Sequence, residues 1–510
     1  MITVLPIIIP LTMVVLLLLA GKKTRWLKAI GTSGAFLLLL ANLVIFHQVR
    51  HEGILVTQAG GWEAPYGITL VIDLLSAVML VVTSFTALLV AIYSLRGLEP
   101  QHHRYRFFLF FHTLMMGVGG AFIAGDLFNM YVWFEVMVIS SFVLITLGSK
   151  KEQLEGGIKY VSMNLVGSFL FLAAIGLVYG KTGTLNLADI SQTVRSSDQP
   201  FLMNSSFILF FMAFGIKAAV FPFFFWLPSS YHTPPVAITA LFTGLLTKVG
   251  IYAMIRFFTL YINEINPFWQ NLLLIVAALT MVIGVLTAAS QFDIRRILSF
   301  HIISQIGYMI MGLGFFSAFA LASALFFMIH NILAKTAAFL AGGLINEKTG
   351  SYQLKSIGGL FTENPWLGLV FFLPAMALAG LPPLSGFFGK LFLIKSGFEG
   401  GHFLVTGIAV WVGIVTLFSM LKIWNEAFWK KPPEGAVAGK AGTIKKPGAM
   451  QKTGASISPG KLKPSMFYPV AILAFSTLVM GVLGGWFMDV LQDASQMLKQ
   501  PEVYIRAVLK

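Results

Sequence analysis

Apolar runs long enough to cross a membrane recur along the whole 510-residue chain. A transmembrane helix needs about 20 mostly apolar residues to span a hydrocarbon core of ~30 Å. Hydrophobic residues make up 57% of the chain and charged residues only 11%, so no stretch is left over for a soluble domain. The sequence therefore predicts an all-α polytopic membrane protein.

Hydropathy divides the chain into fourteen predicted transmembrane spans. The predicted spans cover residues 2–20, 27–47, 68–94, 107–125, 126–147, 158–180, 205–226, 236–260, 270–289, 299–316, 318–343, 364–398, 404–427 and 467–489. The first run lacks the basic start and the small-residue cleavage site of a signal peptide, so it is interpreted as a span.

The positions of the basic residues predict how the spans are oriented. The formal net charge is +15, and connections that follow odd-numbered spans hold most of the 35 Lys and Arg residues. Because Lys and Arg concentrate on the cytoplasmic side, both termini are predicted to be extracytoplasmic. The same rule explains the basic charge without a nucleic-acid partner. The Gly-, Pro- and Lys-rich segment 428–465 is predicted to be a flexible cytoplasmic loop, with binding of anionic lipid headgroups as the alternative.

Two predicted spans combine a proline break with a lysine at membrane depth. Span seven contains Lys217 and Pro222, and span twelve contains Pro382-Pro383 followed by Lys390. A proline inside a helix removes one backbone hydrogen bond and clashes with the preceding turn, so each span is expected to kink or break. Broken helices at this depth are tolerated where they line a cavity, which is typical of a transport site.

The breaks also predict free backbone carbonyls. Those of Ala218, Leu378 and Ala379 are expected to lose their helical donors, and water would satisfy them if no side chain does. Water would then hydrate the space beside the two lysines.

The broken helix is the fourth in each of two predicted inverted repeats of five helices, spans 4–8 and 9–13. The predicted organisation is 1–106 for helices one to three, 107–260 for the first repeat, 261–427 for the second, 428–465 for the loop, and 466–510 for the last helix and tail.

Glu135 lies in the middle of span five, among apolar and aromatic residues. If Glu135 contacts Lys217, the protonation of each group depends on the other. The alternative is a fixed ion pair that holds two helices together. Buried ion pairs are weak stabilisers compared with apolar replacements, which favours the functional interpretation.

Further ionisable residues lie inside predicted spans. Lys248 is surrounded by small residues that permit close helix packing and water entry, and its depth argues against a lysine that reaches the membrane surface. The same argument from depth applies to Lys390. His330 and Lys335, both in span eleven, are candidates for a proton relay. A buried histidine that bonds only to a backbone carbonyl is the alternative for His330.

Two other sets of polar residues are open to interpretation. His301, Ser304 and Gln305 could hydrogen-bond to a water chain, or they could be interfacial residues near the cytoplasmic end of span ten. Asp73 and Asp126 precede predicted helices and are interpreted as helix N-terminal charges.

Several classes of chemistry are not indicated by the sequence. The chain has no cysteine, which excludes cysteine-ligated iron–sulfur clusters and disulfides. No metal-ligand spacing, phosphate-binding glycine loop or nucleophile–base pairing stands out. No cofactor and no metal are therefore expected, and the broken helices favour a transporter and not an enzyme.

Long motifs in the chain resemble those of the antiporter-like subunits shared by respiratory complex I and the multisubunit Mrp cation/proton antiporters. The resemblance extends from about Gly67 to Trp424 and is strongest to the D-type members of the Mrp group. The matching motifs are GDLFNMYVWFEVMVISSF (125–142), WLPSSYHTPPVAITALFTGLLTKVGIYAMIR (226–256), LSFHIISQIGYM (298–309), HNILAKTAAFLAGG (330–343) and LPPLSGFFGK (381–390).

The resemblance implies fourteen helices with two inverted repeats. It also implies that Glu135 and Lys217 are the coupling pair, Lys248 the central relay lysine and Lys390 the terminal relay group. Lysine at the twelfth-span position recurs in the D-type Mrp members, whereas some complex I relatives have glutamate there.

The predicted function is proton translocation within a multisubunit Na+/H+ antiporter of a bacterial cell membrane, through Lys217, Lys248, the His330/Lys335 region and Lys390. The predicted partners are the other antiporter subunits, protons, Na+ and the lipid bilayer. One alternative is a proton-pumping module of a complex I or hydrogenase type redox complex, which flavin or iron in the purified complex would favour. A second is a scaffold subunit that does not conduct protons.

Overall fold

The computed structural model describes residues 2–104, 106–196, 200–262, 265–431 and 462–510, and most of them are helical. The helices are α1 Leu5–Leu19, α2 Thr24–Glu52, α3 Leu74–Gly97, α4 Pro100–Arg104, α5 Phe107–Ile123, α6 Leu127–Thr146, α7 Lys151–Thr182, α8 Leu187–Ser196, α9 Pro200–Ala218, α10 Trp226–Tyr231, α11 Val236–Tyr261, α12 Pro267–Ser290, α13 Ile294–Phe315, α14 Ala318–Thr349, α15 Leu360–Glu363, α16 Pro365–Ala379, α17 Ser385–Glu399, α18 Phe403–Trp424, α19 Pro464–Val482, α20 Gly484–Lys499 and α21 Pro501–Val508. Short 3₁₀ turns occupy Ile2–Val4 and Leu354–Ser356, and a π-helical turn occupies Asn425–Trp429.

The predicted all-α polytopic fold is confirmed. Within the described ranges, 11 helices are long and apolar enough to cross a membrane, and α5, α9 and α16 contain shorter apolar segments. Each predicted span contains one of these helices, and the twelfth is divided between α16 and α17. Most of the predicted 428–465 loop lies outside the described residues.

Two helices form the centre of the molecule. All of α11 is buried, and so is α14 from Ala320 to Ile345. They pack closely because Gly244 of α11 has no side chain where the Thr336 hydroxyl of α14 approaches it. The Thr336 hydroxyl also donates a hydrogen bond of 3.4 Å to the Ala240 carbonyl of α11. Polar and charged side chains on α11 and α14 are therefore shielded from lipid.

The break in span seven is present, but it is a helix end and not a kink at Pro222. Helix α9 stops at Ala218, and Ala219 adopts a left-handed conformation with φ of 61°. The Val220 N–H donates to the Gly215 carbonyl at 2.9 Å, and the Ala219 N–H donates to the Ile216 carbonyl at 3.1 Å. This pair of hydrogen bonds is a Schellman motif, which terminates a helix before the proline is reached.

The break in span twelve has the same local structure. Gly380, with φ of 94°, follows the last residue of α16. Its N–H donates to the Ala377 carbonyl at 3.1 Å, while the Leu381 N–H donates to the Met376 carbonyl at 3.1 Å. The prolines then occupy the turn between α16 and α17, where a missing N–H leaves no helical hydrogen bond unmade.

Matching helix registers relate the two halves of the chain. Helices α7 and α14 are both 32 residues long, and each ends at a glycine with positive φ, Gly183 and Gly350. Asp126 caps the N-terminus of α6, and Asp293 caps the N-terminus of α13. Each aspartate also forms a β-bridge to the segment that follows the next helix, α7 or α14. Because each repeat contains five spans, the second enters the membrane from the opposite side. The predicted inverted repeats are therefore present.

A β-hairpin was not anticipated. Strands β1 (Leu55–Ala59) and β2 (Ile68–Ile72) pair antiparallel, with Leu55 opposite Ile72. Predicted span three began at residue 68, whereas α3 begins at Leu74. An apolar strand that leads directly into an apolar helix cannot be separated from it by hydropathy, because both segments are buried.

A buried ion pair fastens α11 to the start of α3. Asp73 caps α3 by accepting a hydrogen bond from the Ser76 N–H, as its predicted role as a helix N-terminal charge requires. It also accepts two hydrogen bonds from the Arg256 guanidinium, at 2.5 and 2.7 Å. Both side chains are only 5% exposed, and the Tyr504 ring of α21 lies 5.5 Å from Arg256. The pair therefore holds α3, α11 and the C-terminal region together.

Replacement of Arg256 by methionine should leave the Asp73 carboxylate buried without a counter-ion. Loss of one partner of a buried pair typically costs ~3–5 kcal/mol of folding free energy. We expect a large fall in the apparent Tm of the purified complex in detergent, measured by intrinsic fluorescence.

The double variant Asp73→Asn/Arg256→Met keeps a capping side chain and removes both charges, so most of the stability should return. Arg50→Met serves as the control, because it breaks an ion pair with Asp493 whose side chains are 40% and 49% exposed. If the single and double variants unfold at the same low temperature, the destabilisation comes from lost packing and not from the unpaired charge.

Candidate functional site

In the first repeat, a serine hydroxyl connects the two predicted coupling residues. Glu135 of α6 and Lys217 of α9 do not form a direct ion pair within 4.0 Å, although the structure describes both side chains. The Ser168 hydroxyl of α7 lies between them and donates a hydrogen bond to Glu135 Oε1. Lys217 Nζ donates to Ser168 Oγ at 3.2 Å and to the Asn164 carbonyl at 3.4 Å. The carboxylate and the ammonium are thus joined through one hydroxyl group.

The end of α9 places Lys217 beside this cluster. Lys217 is the last residue but one of the helix, where the partial negative charge of the helix C-terminus favours an ammonium. Its Nζ lies 5.8 Å from the centre of the Phe134 ring, so a cation–π contact adds to the stabilisation. The Schellman motif therefore fixes the helix end and the lysine position together.

Lys248 lies in the fully buried central helix α11 and is 1% exposed. Its Nζ donates a hydrogen bond of 2.6 Å to the Thr243 carbonyl of the same helix. Gly250 lies against the backbone of Ala218, where a Cβ would come within 2.8 Å of the Ala218 nitrogen. The small neighbours noted in the sequence therefore allow α11 to touch the first helix break, as expected.

Lys335 lies on α14 and is completely buried. Its Nζ donates a hydrogen bond of 3.2 Å to the Leu298 carbonyl of α13. The charges of Lys248 and Lys390 both act on it electrostatically. Lys335 thus interacts electrostatically with both the central lysine and the lysine of the second break.

His330, also on α14, faces the start of α17. Its Nδ1 shares a hydrogen bond of 2.8 Å with the Ser385 hydroxyl. Its Nε2 is buried and makes no hydrogen bond to any described residue. Gly386 allows this approach, because a Cβ there would come within 2.9 Å of the imidazole. The alternative in which His330 bonds only to a backbone carbonyl does not match these contacts.

Lys390 satisfies the carbonyls that the second break releases. Its Nζ donates to the Leu378 carbonyl at 3.0 Å and to the Ala379 carbonyl at 2.8 Å. A side chain from the next helix therefore satisfies these two carbonyls, which is the alternative to water that the sequence left open. Lys390 Nζ also lies 5.6 Å from the centre of the Tyr308 ring.

His301 and Gln305 lie on α13, which begins at Ile294, and both side chains are buried inside the protein. His301 is 0% exposed and Gln305 is 1% exposed. Neither ring nitrogen of His301 and neither amide atom of Gln305 bonds to a described residue. Ser304 differs from both, since its hydroxyl donates to the Met281 carbonyl of α12 at 3.1 Å.

The remaining acidic candidate, Asp126, caps a helix. Asp126 accepts a hydrogen bond of 2.8 Å from the Asn129 N–H and caps α6, as the sequence predicted. Across the described ranges, no group of three or more His, Cys, Asp and Glu side chains is placed to hold a metal ion.

Ser168, Ser385 and Tyr308 are site residues that the sequence did not reveal. They carry no charge at neutral pH, and a search for ionisable groups inside apolar spans passes over them. Ser168 could be found by comparing α7 with α14, which have equal lengths. It occupies the position in α7 that Lys335 occupies in α14.

Comparison with known proteins agrees with this arrangement. Residues 124–416 match the family described as NADH:quinone oxidoreductase/Mrp antiporter, TM, and residues 62–108 match the complex I chain 5 N-terminus. The chain is 41% identical over 508 residues to the D subunit of the Na(+)/H(+) antiporter of Alkalihalophilus pseudofirmus, and 36% identical over 507 residues to its counterpart of the same name in Bacillus subtilis. Each alignment covers 99% of both chains.

A solved structure is similar over the same length. The fold matches a chain in the structure of the Mrp complex from Dietzia sp. DQ12-45-1b with a TM-score of 0.89 and 32% sequence identity. The match covers 100% of this chain and 99% of that one. The resemblance identified from the sequence motifs is thus confirmed, and the chain belongs to the NADH:quinone oxidoreductase/Mrp antiporter family.

Proposed function

We propose that the chain is the proton-translocating subunit of a multisubunit Na+/H+ antiporter in a bacterial cell membrane. The observation that carries the proposal is the row of buried basic side chains at the two helix breaks and on the two central helices: Lys217, Lys248, Lys335, His330 and Lys390. The D subunits and the Mrp complex to which the chain is similar support the same function and the same kind of partner. In this proposal the chain moves protons as a secondary transporter and catalyses no chemical reaction.

The Glu135–Ser168–Lys217 cluster acts as the switch of the relay. When Glu135 and Lys217 are both charged, the Ser168 hydroxyl donates to the carboxylate and accepts from the ammonium. Rearrangement of this bridge leaves the ammonium less compensated in a low-dielectric environment and favours release of its proton. Renewed bridging favours the charged form again.

Each inverted repeat contributes one part of the path. The first repeat, 107–260, supplies Glu135, Lys217 and Lys248, and the second, 261–427, supplies Lys335, His330 and Lys390. Helices α11 and α14 bring the two parts together at the centre of the molecule. Both chain termini face the outside of the cell in this arrangement.

The function is tested by dye-detected Na+-dependent proton exchange in membrane vesicles that contain the whole complex. Vesicles with the wild-type subunit should exchange protons for Na+. Complexes with Glu135→Ala or Lys217→Ala should assemble but lose exchange, because one end of the switch is missing. Exchange at the wild-type rate in either variant, at equal complex level, argues against this function for the cluster.

Substitution Ser168→Ala should reduce antiport by roughly 10- to 100-fold, because hydrogen bonds to charged groups contribute ~1.5–3 kcal/mol. Ser168→Thr retains the hydroxyl and should keep most of the activity. The matched control is Ser140→Ala, which removes a buried hydroxyl that donates to the Val136 carbonyl of its own helix. Equal rates for Ser168→Ala and Ser140→Ala would show that the bridge is not needed.

Lys390 should be required for its ability to release a proton. Lys390→Arg keeps a positive charge and hydrogen-bond donors, but a guanidinium does not deprotonate at accessible pH. We expect the variant to assemble and to show no antiport in the vesicle assay. Sustained exchange would mean that Lys390 supplies only a fixed charge at the end of α16.

Single cysteines can test the orientation, because the chain has no native cysteine to give background labelling. Glu63 and Gln101 are both exposed, one beside the hairpin turn and the other in α4. A membrane-impermeant maleimide should label Glu63→Cys in intact cells, and Gln101→Cys only after the membrane is opened. The opposite pattern would reverse the proposed orientation.

A further inference from the structure

Two histidines share an exposed face of α2 close to its C-terminal end. His47 and His51 are four residues apart, so they lie one above the other on the helix surface. Both residues are exposed. The buried residues of this part of the helix, Ile45 and Val49, point to the opposite side, because each is two positions from His47. The proposed relay uses neither histidine.

The two imidazole rings already approach each other. Their centres lie 4.4 Å apart, and their planes are inclined by 58°. All nine histidines of the chain lie within the described ranges, and this is the only contact there between two histidine rings. A metal ion bound to two imidazole nitrogens at ~2.0–2.1 Å holds those nitrogens about 3 Å apart. Small rotations of two exposed side chains reach that separation without any movement of the backbone.

The nitrogens of this pair are not occupied by the protein. Other histidines bond to nearby elements, as His103 and His112 do to the carbonyls of Ser94 and Gly31. Neither His47 nor His51 makes such a hydrogen bond to a described residue. A neutral imidazole has one nitrogen with a free lone pair, and that nitrogen can bind a metal ion.

The charges around the pair are compatible with a bound cation. Glu52 follows His51 in the chain, and its exposed carboxylate accepts a hydrogen bond of 2.9 Å from the Gln48 amide. Arg50 is the basic residue between the two histidines. Its guanidinium forms an ion pair of 2.7 Å with Asp493 of α20, so its charge is already compensated.

We propose that His47 and His51 bind one divalent transition-metal ion of the class that prefers imidazole ligands: Zn2+, Cu2+ or Ni2+. Two histidines at this spacing on one helix face also supply two ligands in helical zinc sites. Water completes the coordination, because no third His, Cys, Asp or Glu of the described residues is grouped with the pair. The inference does not depend on the proposed function. In the proposed orientation the site faces the outside of the cell.

Zn2+ binding to the whole complex tests the inference. The complex is purified through a tag that contains no histidine and is brought to equilibrium with ZnCl2 by dialysis. The wild type should bind one more Zn2+ per copy of this subunit than His47→Gln or His51→Gln, because each variant loses a ligand nitrogen and keeps a polar side chain. The matched control is Gln48→Ala, a change on the same helical turn, which should bind as much Zn2+ as the wild type.

Cu2+ gives a second readout that identifies the ligands. The nitrogen nuclei of bound imidazoles split the electron paramagnetic resonance signal of Cu2+. With one equivalent of CuCl2, the wild-type complex should show splitting from two nitrogens, and the double variant His47→Gln/His51→Gln should lose it.

Equal Zn2+ binding by the wild type and the double variant would overturn the inference. An equal loss of Zn2+ in Gln48→Ala would also overturn it, because a disturbed helix end and not a lost ligand would then explain the result. A Cu2+ signal that is the same in the wild type and the double variant would mean that the metal binds elsewhere. None of these outcomes bears on the proposed function, which is measured by proton exchange.

Discussion

The burial of ammonium groups in a low-dielectric interior is the constraint on which the rest of the structure depends. A charged side chain at the centre of a helix in a membrane costs ~2.5–3.5 kcal/mol on insertion scales, so each one needs partners. Lys248, Lys335 and Lys390 all donate hydrogen bonds to backbone carbonyls. Neutral carbonyls stabilise the charge without supplying a full counter-charge, so they hold it less firmly than a carboxylate does. Such a site suits a group that has to gain and lose a proton.

The Asp73–Arg256 pair shows the opposite solution in the same protein. A guanidinium that stays protonated meets a carboxylate through two hydrogen bonds, and neighbouring aromatic rings cover the pair. That geometry keeps both charges fixed and ties three parts of the fold together. The choice of partner, carboxylate or carbonyl, thus separates the charges that hold the structure from those assigned to the relay.

Much of the fold and part of the site could be predicted from the sequence. The spans follow from hydropathy, and the two breaks follow from Pro222 and Pro382-Pro383 beside Lys217 and Lys390. The hairpin at Leu55–Ile72 could not be predicted, because its second strand is as apolar as the helix that follows it. The role of the Ser168 hydroxyl depends on the packing of α7 against α6 and α9, and Lys390 reaches its carbonyls only because α17 folds back on the end of α16. These contacts depend on three-dimensional packing, which periodicity does not encode.

The shared register of α7 and α14 has a consequence for how the two halves of the chain diverged. Asn164 and Asn331 occupy equivalent positions and make the same hydrogen bond one turn back, to the carbonyls of Tyr160 and Phe327. One turn further on, the equivalent residues are Ser168 and Lys335, a hydroxyl in one half and an ammonium in the other. The two repeats thus keep a polar residue at the same position, while the chemical group of that residue differs. A repeat of this kind can acquire or lose a titratable site by altering a single side chain, with the surrounding helices already in position to receive it.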